Sequence, residues 1–178
     1  EARIEAGFYV RDAKIEDIET LLRLEQACFS GDRLSARSFR WMITKAHAAV
    51  KLLCDQKDHA IGYGLLLFNR GTSLARLYSI AVDPKFRGKG IATFLLEDLE
   101  SVAAVNACAY LRLEVRADNK GAIKFYEKVG YYRFDVKADY YEDHAEAFCY
   151  EKKLAYHKSK KRLEAPYYRQ TTNFTCGP

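Results

Sequence analysis

The stretch Val82-Asp83-Pro84-Lys85-Phe86-Arg87-Gly88-Lys89-Gly90-Ile91-Ala92 decides the fold. It follows an apolar run, Leu74–Val82, that reads as a strand, and Pro84 ends that strand because it cannot donate to a ladder. After it, Ile91, Phe94, Leu95, Leu99 and Val102 fall on one helical stripe. Between strand and helix stand Gly88 and Gly90, which lack the Cβ atoms that would keep a bulky anion from the backbone. A helix start also leaves its first N–H groups without acceptors and carries the positive end of the dipole. With Arg87 and Lys89 alongside, the turn predicts a seat for a phosphate or pyrophosphate at a helix start near Gly90. A glycine-softened turn without a ligand is the other reading.

Downstream, the helix must cross over to Tyr110–Arg116, where Leu111, Leu113 and Val115 alternate strictly with Arg112, Glu114 and Arg116. A strand, helix and strand in this order predict a parallel pair. Asp118-Asn119 offers an N-cap to a short helix with the stripe Ala122, Ile123, Tyr126 and Val129, and Gly130 is placed to close it. Runs at 131–136 and 147–154 complete the domain as a strand pair joined across 137–146. Upstream, runs at 49–54 and 61–69 join Leu74–Val82 in a three-strand meander. Before them come a short β-like run at 8–11, a helix from Ile15 to about Cys28, and a second helix capped by Ser35 with Phe39, Met42 and Ile43 on one side. The expectation is a mixed α/β fold, with a mostly antiparallel sheet that contains one parallel pair and is flanked by helices.

At 178 residues and 49% hydrophobic content the chain can build one full core. No run approaches the roughly 18 apolar residues of a membrane span, and the N-terminus has no signal-peptide core, so a cytoplasmic protein without a membrane partner is expected. Five cysteines without a C-x-x-C pair and four scattered histidines support neither a disulfide framework nor a metal site. The net charge of +5 is local: residues 152–169 carry seven Lys/Arg against one acid, Glu164. A basic tail of this kind reads as a solvated linker rather than a nucleic-acid face.

Arg87-Gly88-Lys89-Gly90-Ile91-Ala92 matches the R/Q-x-x-G-x-G/A signature of the GCN5-related N-acetyltransferase (GNAT) family, and it lies between strand and helix as that signature does. Leu113-Glu114-Val115-Arg116-Ala117-Asp118-Asn119, with Phe125-Tyr126 and Gly130-Tyr131, resembles the family's second conserved region. The resemblance spans residues 8–154, and within the family it is strongest to the ribosomal-protein N-terminal alanine acetyltransferases. It implies the acyl-CoA N-acyltransferase fold, in which acetyl-CoA lies where strands 74–82 and 110–116 splay apart. The backbone of Ile80, Ala81 and Val82 would pair with the pantetheine arm as an added strand does. Arg87, Gly88, Lys89, Gly90, Ile91, Ala92 and Thr93 would hold the pyrophosphate, and Asn119 would meet the cofactor further along, besides capping its helix.

Acetyl transfer to an amine needs a neutral amine, a stabilised oxyanion and a proton for the departing thiolate. An α-amine titrates at about 7.7–8.0 and lysine near 10.4, so a mild base suffices for an N-terminus. The resemblance assigns that role to Glu114, directly or through water; an ion pair with Arg112 or Arg116 is the structural alternative. It makes Tyr126 the acid for the CoA sulfur, where the residues alone would read a core aromatic. A backbone N–H at a bulge near Val82 would serve the oxyanion. Tyr140 and Tyr141, in the turn between the last strands, would touch the acceptor. The expected acceptor is a protein or peptide N-terminus; a lysine or small-molecule amine, and a non-catalytic acyl-CoA-binding module, are the rivals. Residues 155–166 read as a basic linker. Residues 167–178 resemble the start of a papain-like cysteine peptidase of the bacteriocin-processing type, with Gln170 six positions before Cys176. That resemblance implies a longer protein with a second, peptidase-like domain.

Overall fold

The computed structural model describes residues 7–88 and 90–155. Most of the predicted linker and the whole peptidase-like stretch, with Gln170 and Cys176, lie outside the described residues, as does Lys89. The elements are β1 (Phe8–Asp12), α1 (Ile18–Cys28), α2 (Ala36–Thr44), β2 (Ala48–Asp55), β3 (Ala60–Phe68), β4 (Leu74–Val82), α3 (Ile91–Val105), β5 (Tyr110–Arg116), α4 (Lys120–Lys128), β6 (Tyr132–Lys137) and β7 (Ala147–Lys153). The strands form one sheet in the order β1-β2-β3-β4-β5-β7-β6, and β4 with β5 is its one parallel pair. Ser35 caps α2 as predicted, its Oγ accepting from Ser38 N at 3.1 Å. The predicted first helix begins instead as a 3₁₀ turn, Ile15–Asp17, ahead of α1.

The core has two layers because β3 is apolar on both faces, and eight of its nine residues are buried. One layer packs Leu21, Leu24, Phe39 and Met42 of α1 and α2 against Leu52, Tyr63 and Leu65. The other packs Leu95, Leu96 and Leu99 of α3, with Tyr126 of α4, against Leu66, Leu77, Leu111, Leu113 and Val115. Gly64 lets α3 sit down on β3: a Cβ there would lie 2.4 Å from Leu99 Cδ1. The predicted stripes shift slightly. On α3, Leu96 and Ala103 are buried where Phe94 and Val102 are partly so, and on α4 only Tyr126 is buried.

β4 and β5 pair at three positions only, Leu74 with Tyr110, Ala75 with Leu111 and Arg76 with Arg112. Beyond Arg76 they part, as predicted. The bulge expected near Val82 lies four residues earlier: β3 pairs Leu65 with Ser79 and Leu66 with Leu77, which leaves Tyr78 as the extra residue. An extra residue bends a strand, and β4 needs that bend directly after its last pair with β5. At Val82 it is in register with Gly62. β6 forms the far edge, with Tyr132, Phe134 and Val136 exposed. Among the described residues no helix is long and apolar enough to cross a membrane, and no cluster of metal-ligating side chains occurs.

Candidate active site

The gap between β4 and β5 is edged by backbone. Asp83 N donates to Ile61 O at 2.7 Å, and antiparallel alternation then turns Ala81 towards β3 and leaves Ile80 and Val82 facing the gap. The three predicted backbone positions therefore divide, and Ala81 belongs to the β3 ladder. At the end of the edge, the Val82 carbonyl accepts from Arg87 Nε at 3.1 Å and from Cys28 Sγ at 3.4 Å. Arg87 is thus turned back onto its own strand and shapes the turn. Asp83 helps, its Oδ1 accepting from Lys85 N at 3.0 Å over the 3₁₀ turn Pro84–Phe86.

Gly88 and Gly90 adopt φ of +84° and +73°, the left-handed region that other side chains resist, and a Cβ built on either would meet nothing within 4 Å. α3 begins there without a capping side chain and without an acid in its first turn. The N–H groups of Ile91, Ala92 and Thr93 have no intrahelical acceptor. Among the described residues these donors meet no other acceptor, an arrangement that fits an anion such as a pyrophosphate. Asn119 takes its predicted place as N-cap of α4, its Oδ1 accepting from Ala122 N at 3.1 Å.

On the polar face of β5, Glu114 has two cationic partners among the described residues, and neither is Arg112 or Arg116. Arg76 Nε lies 2.9 Å from Oε2 and Lys137 Nζ 3.4 Å from Oε1. Arg112 is drawn to Glu151, its direct cross-strand neighbour on β7, at 3.1 Å, and Arg116 to Asp118 at 3.1 Å and Asp143 at 2.6 Å. Arg116 holds both aspartates below the usual carboxylate range, chiefly through its hydrogen bonds to them. Arg76 also donates from Nη2 to the Tyr140 hydroxyl at 2.6 Å, which ties the turn between β6 and β7 to the carboxylate. Tyr140 and Tyr141 stack edge to face at 5.0 Å, with the Arg116 guanidinium 4.9 Å from the Tyr141 ring centre. Burial pushes the Tyr141 phenol up to about 12. The structure thus brings Glu114, Tyr140 and Tyr141 together. Sequence reasoning missed Arg76 and Lys137; the signal for Arg76 was its being the one charged residue in the run Leu74–Val82.

Tyr126 stands on the other face of β5, among Leu113 and Val115, with the rings of Phe125 at 5.1 Å and Tyr131 at 5.6 Å. Its hydroxyl makes no hydrogen bond among the described residues, and burial holds its phenol far above the ordinary value. No contact joins it to Glu114 among those residues.

One buried network was not signalled by the sequence. Glu25 of α1 is 2% exposed; its Oε1 accepts from the Tyr63 hydroxyl and its Oε2 from Leu34 N at 2.8 Å. Tyr63 in turn meets Ser79 Oγ at 2.7 Å, next to the Tyr78 bulge. The connection between α1 and α2 is thereby pinned to the strand that lines the gap. Burial pushes the Glu25 carboxyl up, against the opposing pull of Tyr63, Leu34 N–H and Arg33. A raised carboxyl binds its proton more tightly in the folded chain. Its contribution to stability is therefore full below the unfolded pKa of about 4.3 and is lost as pH rises through the folded one. Urea unfolding across that window is expected to show stability falling with pH at this group, with Glu25→Gln removing that part of the slope. An unchanged slope in the variant would exclude the assignment.

The family model described as "Acetyltransferase (GNAT) family" matches residues 17–131. The ribosomal protein bS18-alanine N-acetyltransferase of Salmonella typhimurium is 34% identical over 92 residues, 52% of this chain and 60% of that protein. That of Escherichia coli is 40% identical over 67 residues, 38% of this chain and 45% of that protein. The chain thus spans about half the length of these curated relatives. In fold it is similar to the crystal structure of the Escherichia coli ribosomal-protein alanine N-acetyltransferase, with a TM-score of 0.74 at 22% identity over 86% of this chain and 98% of that one. It is also similar to a chain of the NatC complex bound to Gag peptide and CoA, with a TM-score of 0.70 at 21% identity over 84% of this chain and 99% of that one.

Proposed function

The chain belongs to the acetyltransferase (GNAT) family, and from that premise we propose that it acetylates the N-terminal α-amine of a protein or peptide with acetyl-CoA. The observation that carries this reading is the position of Glu114: a half-enclosed carboxylate beside the parted strands, faced by Tyr140 and Tyr141. The alanine N-acetyltransferases of similar sequence point the same way.

Acetyl-CoA, when bound, supplies the acetyl group as a thioester. Ile80 and Val82 present the edge that would hold the pantetheine arm, and the amides from Gly88 to Thr93 would seat the pyrophosphate, with Lys89 as a further cation. Asn119 would meet the cofactor at the start of α4. A backbone N–H at the bulge of β4 is the donor we assign to the thioester oxygen. Glu114 takes the proton of the acceptor amine, through water while both its oxygens are paired. Tyr126 is the residue we assign to give the proton to the leaving sulfur, and burial keeps its phenol protonated until then.

A screen of free-α-amine peptides with acetyl-CoA, read by mass spectrometry, tests the proposal. The expected product is a peptide acetylated at its α-amine. Acetylation of lysine side chains or polyamines alone would overturn it, and acetyl-CoA binding without any acceptor would favour a binding module.

A further inference from the structure

Lys137 ends β6, and its ammonium is directed back into the site. Nζ lies 3.4 Å from Glu114 Oε1 and 5.4 Å from the centre of the Tyr140 ring. A carboxylate oxygen and an aromatic face thus hold one cation between them. The other oxygen of Glu114 is fixed separately by Arg76 Nε at 2.9 Å, and Arg76 is itself anchored on the Tyr140 hydroxyl at 2.6 Å. The two cations are held unequally. The Arg76 side chain is 28% exposed and bonded on two sides, whereas that of Lys137 is 47% exposed and its contact with Glu114 is long, at 3.4 Å.

We propose that the seat between Glu114 and Tyr140 receives the acceptor's α-ammonium, and that Lys137 is a built-in competitor which an incoming N-terminus must displace. This rests on the reading of Glu114 as the base. An α-ammonium and a lysine ammonium offer the same charge and the same three donors, so a seat built for one accepts the other. Two cations on one oxygen repel, so occupancy is exclusive. Arg76 stays throughout and keeps the carboxylate aimed. When the α-ammonium replaces Lys137, the amine to be acetylated lies on the oxygen that takes its proton. Lys137 thereby sets a threshold for acceptors: a segment that offers no α-ammonium, such as an acetylated product, gains nothing from the exchange.

The test uses Lys137→Met, which keeps an unbranched apolar stem and removes the charge, and Lys137→Arg, which keeps the charge. The probes are an alanine-initiated peptide with a free α-amine and its N-acetylated twin, in direct binding by calorimetry and in turnover with acetyl-CoA. Lys137→Met is expected to tighten the free peptide by about threefold to fivefold, the worth of an exposed ion pair. The twin's affinity and the KM for acetyl-CoA are expected to stay put, and Lys137→Arg to bind as the wild type does. An unchanged or weaker free peptide in Lys137→Met, or equal tightening of the twin, would overturn the seat. Turnover by the wild type is a separate readout. Its absence for every α-amine would end the reading of an N-terminal acceptor, while the calorimetry would still decide whether Lys137 competes for the seat.

Discussion

Glu114→Gln is expected to lower kcat for an N-terminal peptide by about a hundredfold or more at pH 7, within the range of general-base catalysis. The amide keeps the volume of the side chain and one acceptor for Arg76, but it cannot take up a proton. The loss should shrink as pH rises past about 8, where the α-amine is largely neutral in solution and has less need of a base. Initial rates from pH 6.5 to 9 measure both effects. A variant within about threefold of wild type at pH 7 would return Glu114 to a structural ion pair with Arg76 and Lys137.

Tyr126→Phe is expected to lower kcat about a hundredfold with little change in either KM. Because burial raises the phenol well above its usual value, it stays protonated across the neutral range, so the loss should not vary with pH. That flat profile separates it from Glu114→Gln. The hydroxyl has no partner among the described residues, so its removal should leave the melting temperature within a few degrees of wild type. Normal turnover would make Tyr126 a core aromatic and nothing more.

Much of this was legible in local pattern. The alternation of Tyr110–Arg116 gave β5 to the residue, Ser35 and Asn119 announced their helices, and the glycines marked the start of α3. The parting of β4 from β5 was implied by family resemblance, and the register bears it out. What stayed hidden was set by residues far apart in the chain. The bulge at Tyr78 depends on where β4 must leave β5, a property of register between three strands. The partners of Glu114 lie 38 residues before it and 23 after it, and no spacing rule links them. Glu25 falls in a helix where a carboxylate ordinarily faces solvent, and its meetings with Leu34 N and with Tyr63, 38 residues on, explain its burial.

The three rungs shared by β4 and β5 have a mechanical consequence. Seven strands count as one sheet, yet beyond Arg76 the ladder is severed between β1–β4 on one side and β5, β7 and β6 on the other. α3 packs on β3 and β4, and its Glu100 meets Lys152 of β7 at 3.1 Å, so it ties the two halves together as a splint. A ligand arm laid along Ile80 and Val82 would supply the missing rungs from outside the polypeptide. By mass action it would then stiffen the very boundary along which the two half-sheets are least joined.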